Sequence, residues 1–288
     1  MHITSKSFCP NMDILKPYAR KDKLVVIMGA TGTGKSRLSV DLATRFSGEI
    51  INTDKMQVYR GLDIVSNKIT SETKRGVPHH LLSVLPPGAD YFTTADFCDR
   101  ASFLIEAITD RGKLPIVVGG SNSFLEDLVL DGSRYDCCFL WVDVAVPILR
   151  GVVSERVDKM VANGMVEEVR ELFNFSDSKN YSEGIKNAVG ISEFDRFLKN
   201  EPFLDAGERQ VLFSEVVEEI KKNTFTLACN EREKIQRLRS VNKWCVQRLD
   251  TTPVITTRRW KADADAAWKS LVAGPSTSYV SRFLQGHY

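Results

Sequence analysis

The feature that most constrains this chain is an apolar run, Leu24 to Met28, that breaks into GATGTGKS and continues as RLSVDLATRF. Residues 29–36 fit G-x-x-x-x-G-K-[ST], a glycine-rich turn whose backbone N–H groups wrap a phosphate chain. The pattern carries weight only between a strand and a helix. Both are in place: the apolar run reads as a buried strand, and Leu38, Leu42 and Phe46 recur about every four residues over 35–46. A helix opening directly after the turn adds its N-terminal dipole to the amides. Lys35 is suited to bridge phosphate oxygens and Ser36 to hold a Mg²⁺ ion. Phosphate binding follows from these residues. The fate of the phosphate does not.

Further short apolar runs at 49–52, 114–118 and 138–144 read as strands of the same sheet. TTADFCDRASFLIEAITDRG reads as a helix capped by Thr94 or Asp96 and closed by Gly112. Strands alternating with helices imply a parallel sheet with helical crossovers. Beyond about residue 147 the periodicity becomes helical, with PVITT at 253–257 as one strand candidate that rejoins the sheet and 174–184 as a polar loop. The expected organisation is a flexible arm (1–22), a P-loop α/β core (23–146), and a mostly helical region (147–288) that forms a smaller lobe and partly rejoins the core. The fold class is α/β, a P-loop NTPase-like parallel sheet flanked by helices.

Composition narrows the partners. A formal charge of +2 over 288 residues is too small for the strongly basic face of a nucleic-acid binder, so no stable nucleic-acid partner is expected. No apolar run approaches the roughly 20 residues that span a bilayer, so no membrane is expected either. The six cysteines show no C-x-x-C spacing and read as reduced thiols of an intracellular protein. The first twenty residues contain one acid, Asp13, among Ser, Thr, Lys and Arg. A disordered arm and the remnant of an organellar transit peptide both fit that composition. A monomer is expected.

Asp54 lies two residues past the second strand. Carboxyl ends of neighbouring strands share one crevice in a doubly wound sheet, so Asp54 belongs either at the cradle or on a surface turn. Asp143, ending CFLWVD, stands where a nucleotide hydrolase would place its metal-holding acid. The arginine-rich lid of a small-molecule kinase is not evident, since Arg111, Arg134 and Arg150 are scattered.

GATGTGKS, TDKMQVYRGLDI, GVPHHLL, FTTADF and PIVVGGSNSF occur in one order, and RYDCCFLWVDV, RVDKMVANGMVEEV and GIKNAVGISEFD follow. This series resembles the isopentenyltransferase family, and its later segments are more similar to the plant adenylate enzymes, the cytokinin synthases, than to the tRNA enzymes. Ala30 stands where many tRNA enzymes have proline, and Asn122 and Phe124 depart from their GGTGxY pattern. LDGSRY, at 130–135, is shorter than the plant branch leads one to expect. The resemblance implies transfer of a dimethylallyl group from dimethylallyl diphosphate to N6 of adenine in AMP, ADP or ATP. A tRNA acceptor and a P-loop kinase are the alternatives. By the same resemblance Gly29, Ala30, Thr31, Gly32, Thr33, Gly34, Lys35 and Ser36 hold the departing diphosphate with Mg²⁺. Asp54 matches the general base, Ser66 lies near the adenine, and a plastid location is implied, with the cytoplasm as alternative.

Adenine N6 is a poor nucleophile because its lone pair is delocalised into the ring. A carboxylate that accepts its proton and cations that oppose the charge growing on diphosphate suit the reaction. The acceptor's own phosphates need partners, for which Lys186, Lys221, Lys222, Arg232, Lys234, Arg237 and Arg239 are candidates. A solvated helix face is the plainer reading of most of them. His79 and His80 lack the companions of a metal site and read as hydrogen-bonding groups.

Overall fold

A computed structural model describes residues 21–89, 91–130, 134–174, 185, 188–257 and 261–287. The arm, the transit-peptide question, most of the polar loop at 174–184, part of LDGSRY and Lys186 fall outside the described residues.

The described elements begin with β1 (Asp22–Gly29), α1 (Lys35–Phe46), β2 (Gly48–Asn52), α2 (Ser71–Lys74), β3 (His79–His80), α3 (Thr94–Asp110), β4 (Leu114–Val118), α4 (Asn122–Leu130) and β5 (Tyr135–Asp143). Then come α5 (Val146–Ala162), α6 (Met165–Asn174), α7 (Ile191–Asn200), the 36-residue α8 (Ala206–Val241) and β6 (Val246–Asp250). α9 (Thr252–Thr256), α10 (Lys261–Trp268), a π-helical turn (Lys269–Ala273) and α11 (Gly274–Leu284) complete the series.

The six strands form one parallel sheet in the order β3-β2-β4-β1-β5-β6. A parallel sheet is covered on both faces, which is why its central strands read as unbroken apolar runs. In β1, Leu24, Val26 and Met28 join one hydrophobic cluster and Val25 and Ile27 the other, all with 0% exposure. The first cluster packs against α3, α4 and α5 to α8, and the second against α1, α10 and α11. The described residues beyond 147 thus rejoin the core on both faces. From β1 the chain passes to one side, through β2, and later to the other, through β5. The loop after β1 opens at this switch point, where ligands bind in such sheets.

Two expectations change. The strand that rejoins the sheet is β6, paired with β5 from Phe139↔Val246 to Asp143↔Asp250, and not PVITT. Pro253 lies in the first turn of α9, where its missing N–H costs nothing, whereas a ladder would need that donor. Second, α3 is capped by Thr93 and not by Thr94 or Asp96. Its hydroxyl accepts the Asp96 N–H at 3.1 Å, and Asp96 accepts the Thr93 N–H at 3.0 Å, a reciprocal capping box. His79–His80 form a two-residue edge strand beside β2, too short to show any periodicity. Among the described residues, no helix is long and apolar enough to cross a membrane.

Candidate active site

The cradle is rigid for local reasons. Gly34 caps α1 at φ 106°, and a Cβ on it would lie 3.1 Å from the Trp268 ring. Buried Trp268 donates its indole N–H to Asp41 at 2.8 Å and stacks beneath the Arg37 guanidinium, so α10 braces the helix that the cradle opens. Thr251, just after β6, donates its hydroxyl to the carbonyls of Thr33 (3.2 Å) and Asp143 (3.0 Å). Lys35 Nζ donates to the Ala30 carbonyl at 2.8 Å, folded back over the loop. Burial pushes its ammonium below the ordinary lysine pKa, and Glu231 is the first group opposing that shift.

Two cavities meet beside the loop. A cleft of about 310 Å³ runs along Gly32, Gly34, Lys35 and Ser36 toward Asn52, Gln57 and His79. A pocket of about 380 Å³ is walled by Met56, Val65, Ser66, Met160, Met165 and Ile220. Thr31, Asp54, Gly120 and Arg156 line both. Asp54 accepts the Met56 N–H at 2.9 Å, which holds its carboxylate at this junction. Of the eight loop residues, Thr31, Gly32, Gly34, Lys35 and Ser36 line the cavities together with Asp54 and Ser66, whereas Gly29, Ala30 and Thr33 line neither, Ala30 and Thr33 being buried. Ser66 donates its hydroxyl to the Leu62 carbonyl, and the turn before it is pinned by Glu168, which accepts the N–H groups of Ile64 (3.0 Å) and Val65 (2.8 Å).

The basic candidates fare differently. Arg232 does not face the pocket: its Nε donates to Asp143 at 3.0 Å, and Arg248 Nε donates to the other oxygen at 2.8 Å. Asp143, 1% exposed and held between two guanidiniums, ties α8 and β6 to β5 and is not the metal-holding acid its position suggested. Lys221 pairs with Asp158 and Glu218, at 2.7 and 2.8 Å, and lines neither cavity. Lys222 is exposed and lines neither. His80 pairs with Glu49 at 2.7 Å, and Arg111 joins the same carboxylate. His79 bonds the Val77 carbonyl at 2.8 Å, and burial lowers its pKa.

Three residues at the cavities, Arg156, Glu231 and Asn122, were given no site role by the sequence. Arg156 of α5 lies within RVDKMVANGMVEEV, a segment that carried the resemblance without a role for any residue. Burial lowers its pKa, and Asp54 and Glu231 counter that. Glu231 of α8 lines the pocket, as does Lys234, the one of the named late-helix cations that reaches it. Glu231 accepts the Thr31 N–H at 2.7 Å, across two hundred residues of sequence. Burial raises its carboxyl above the usual range, opposed chiefly by Lys35. Asn122 donates to the Glu231 carbonyl at 3.1 Å, leaving its buried Oδ1 without a hydrogen-bond partner.

A family model described as IPP transferase matches residues 57–134 and 130–230. The chain is 67% identical over 282 residues to adenylate isopentenyltransferase 3, chloroplastic, of Arabidopsis thaliana, covering 96% of this chain and 83% of that protein. It is 42% identical over 294 residues to an adenylate isopentenyltransferase of Humulus lupulus, covering 90% and 89%. Among solved structures it resembles a eukaryotic dimethylallyltransferase acting on tRNA, with a TM-score of 0.76 at 21% identity, covering 93% of this chain and 80% of that one. That last likeness speaks to fold alone. By the family model and by these relatives, the chain belongs to the IPP transferase family.

Proposed function

We propose that this prenyltransferase moves the dimethylallyl group of dimethylallyl diphosphate to N6 of the adenine of AMP, ADP or ATP, the first step of cytokinin biosynthesis. One observation carries the reading: Asp54 stands where a phosphate-binding cleft and a largely apolar pocket meet. A donor with an anionic head and a planar acceptor that must give up a proton need such a junction. The diphosphate lies along the loop amides, with Lys35 facing the charge that grows as the C–O bond breaks. The adenine enters beside Ser66, and Asp54 takes the N6 proton as nitrogen attacks the allylic carbon. Arg156 offers a second cation toward the departing oxygens.

The Ser36 hydroxyl is exposed at the cleft, where donor phosphate oxygens would complete an all-oxygen ligand set of the kind Mg²⁺ prefers. Bound there, the ion would offset charge on the leaving diphosphate. Lys234 replaces Lys221, Lys222 and Arg232 as the helix cation placed to meet acceptor phosphates. Relatives of this chain carry names that place them in chloroplasts or mitochondria, and a plastid is the compartment proposed here.

The test is incubation with Mg²⁺, dimethylallyl diphosphate and AMP, ADP, ATP or tRNA in turn, read by mass spectrometry. A prenyl adduct on a free nucleotide is expected. Preferential modification of tRNA would move the chain to the other branch of the family, and phosphorylated products would make it a kinase.

A further inference from the structure

We infer that Glu231 sets the anion selectivity of the cradle: its carboxylate is a resident anion on the Thr31 amide, and a phosphate chain seats fully only where that charge is displaced or neutralised. The inference rests on reading residues 29–36 as the donor's cradle.

The contact is built, not incidental. Glu231 Oε2 accepts the Thr31 N–H at 2.7 Å, so one loop amide already carries a negative oxygen. Space for the carboxylate exists because residue 120 is glycine: a Cβ there would lie 2.1 Å from Glu231 Oε1. The helix is locked on either side of the side chain. Asn122 donates to the Glu231 carbonyl, and the next residue, Arg232, is clamped on Asp143.

Charge gives the contact its consequence. Lys35 of α1 and Arg156 of α5 face Glu231, as does Asp54 from the segment after β2. Lys234, from the same helix, and Lys55 line the same pocket. Lys35 and Arg156 are thus matched by Glu231 and Asp54, and the cleft's remaining charged lining is Arg37 and Lys159 against Glu155, which leaves little net positive charge for an incoming anion. Neutralising Glu231 restores one positive charge to the cradle. Burial already favours its neutral form. The penalty grows with the ligand's charge, so a nucleoside triphosphate is resisted more than a diphosphate. A nucleotide is thereby kept from the donor's loop and left to the neighbouring pocket.

The experiment is calorimetric titration of the full chain with Mg²⁺–pyrophosphate and with Mg²⁺–ATP, for wild type and Glu231→Gln. It is repeated over a pH series running toward acid, because burial raises the Glu231 carboxyl and so brings its neutral form in earlier as pH falls. At the upper end Glu231→Gln should bind pyrophosphate at least about tenfold more tightly, the equivalent of one pK unit, with a larger gain for ATP. The ratio between the two proteins should shrink toward acid. Equal or weaker binding by the variant, or a ratio constant with pH, would overturn the inference and leave the cradle reading standing. Absence of pyrophosphate binding by both proteins would overturn both. Glu231→Ala repeats the measurement if the amide variant fails to fold, as judged by circular dichroism.

Discussion

The cleft and the pocket share Thr31, Asp54, Gly120 and Arg156, yet they are made by different means. Much of the cleft's anion-binding surface is the backbone of consecutive residues, fixed between one strand and one helix. The pocket is a set of side chains from the segment after β2, from α4, α5 and α6, and from the long α8. Backbone amides are indifferent to most substitutions, so the cleft's selectivity for a phosphate group resides in few side chains. Methionine walls such as Met56, Met160 and Met165 adapt to shape, so the pocket can be altered without disturbing the sheet. The chemistry is confined to the junction. Leaving-group charge is a property of the cleft, and acceptor identity a property of the pocket.

Substitution at the junction should break this division most severely. Asp54→Asn keeps the shape but cannot take the N6 proton, and kcat should fall about a hundredfold to ten-thousandfold with little change in KM for the donor. Steady-state kinetics measure this. A loss confined to metal affinity would assign Asp54 to the ion instead. Within the cleft, Lys35→Ala should lower kcat by roughly a hundredfold, the usual cost of one group opposing transition-state charge. Near-normal turnover in a folded variant would contradict the cradle assignment.

Behind both cavities, Asp143→Ala should cost about 2–3 kcal/mol of stability, because it leaves Arg232 and Arg248 facing each other unpaired. The figure is kept to the low end since Arg248 is 44% exposed. Thermal unfolding reads it as a fall of several degrees, and an unchanged midpoint would refute the clamp. In the pocket, Lys234→Ala should raise KM for ATP up to about tenfold, through loss of a charge-assisted contact, with kcat retained. The smallest effect sharpens the boundary. Lys221→Ala and Lys222→Ala should leave acceptor KM within about twofold, as for surface positions away from a site.

How much of this the sequence disclosed follows the same division. Residues 29–36 were legible because strand, turn and helix are contiguous and each has its own local signal. The unbroken apolar run of β1 and the helical spacing in α1 were equally local. Asp54 lay close enough to a strand end for topology to bring it in, although the motif resemblance was needed to give it a role. Glu231 and Arg156 were not legible, because what places them is packing between α8, α5 and the loop, and no spacing rule spans two hundred residues. Arg232 misled for the same reason. A basic residue on a helix looks available to phosphate until its partner, Asp143, is found 89 positions away. PVITT looked like a strand on its β-branched residues, while its proline determined the outcome.

The most direct test of the central claim asks which phosphate leaves. With dimethylallyl diphosphate and ATP labelled at the γ-phosphate, the measurement is release of diphosphate and of labelled phosphate against N6-prenylated nucleotide formed. One diphosphate per prenylated adenine, with the γ-phosphate still on the nucleotide, is the predicted result. Labelled phosphate released or transferred in step with turnover, with or without the prenyl donor, would mean that the cradle holds the nucleotide's own phosphates, and would contradict it.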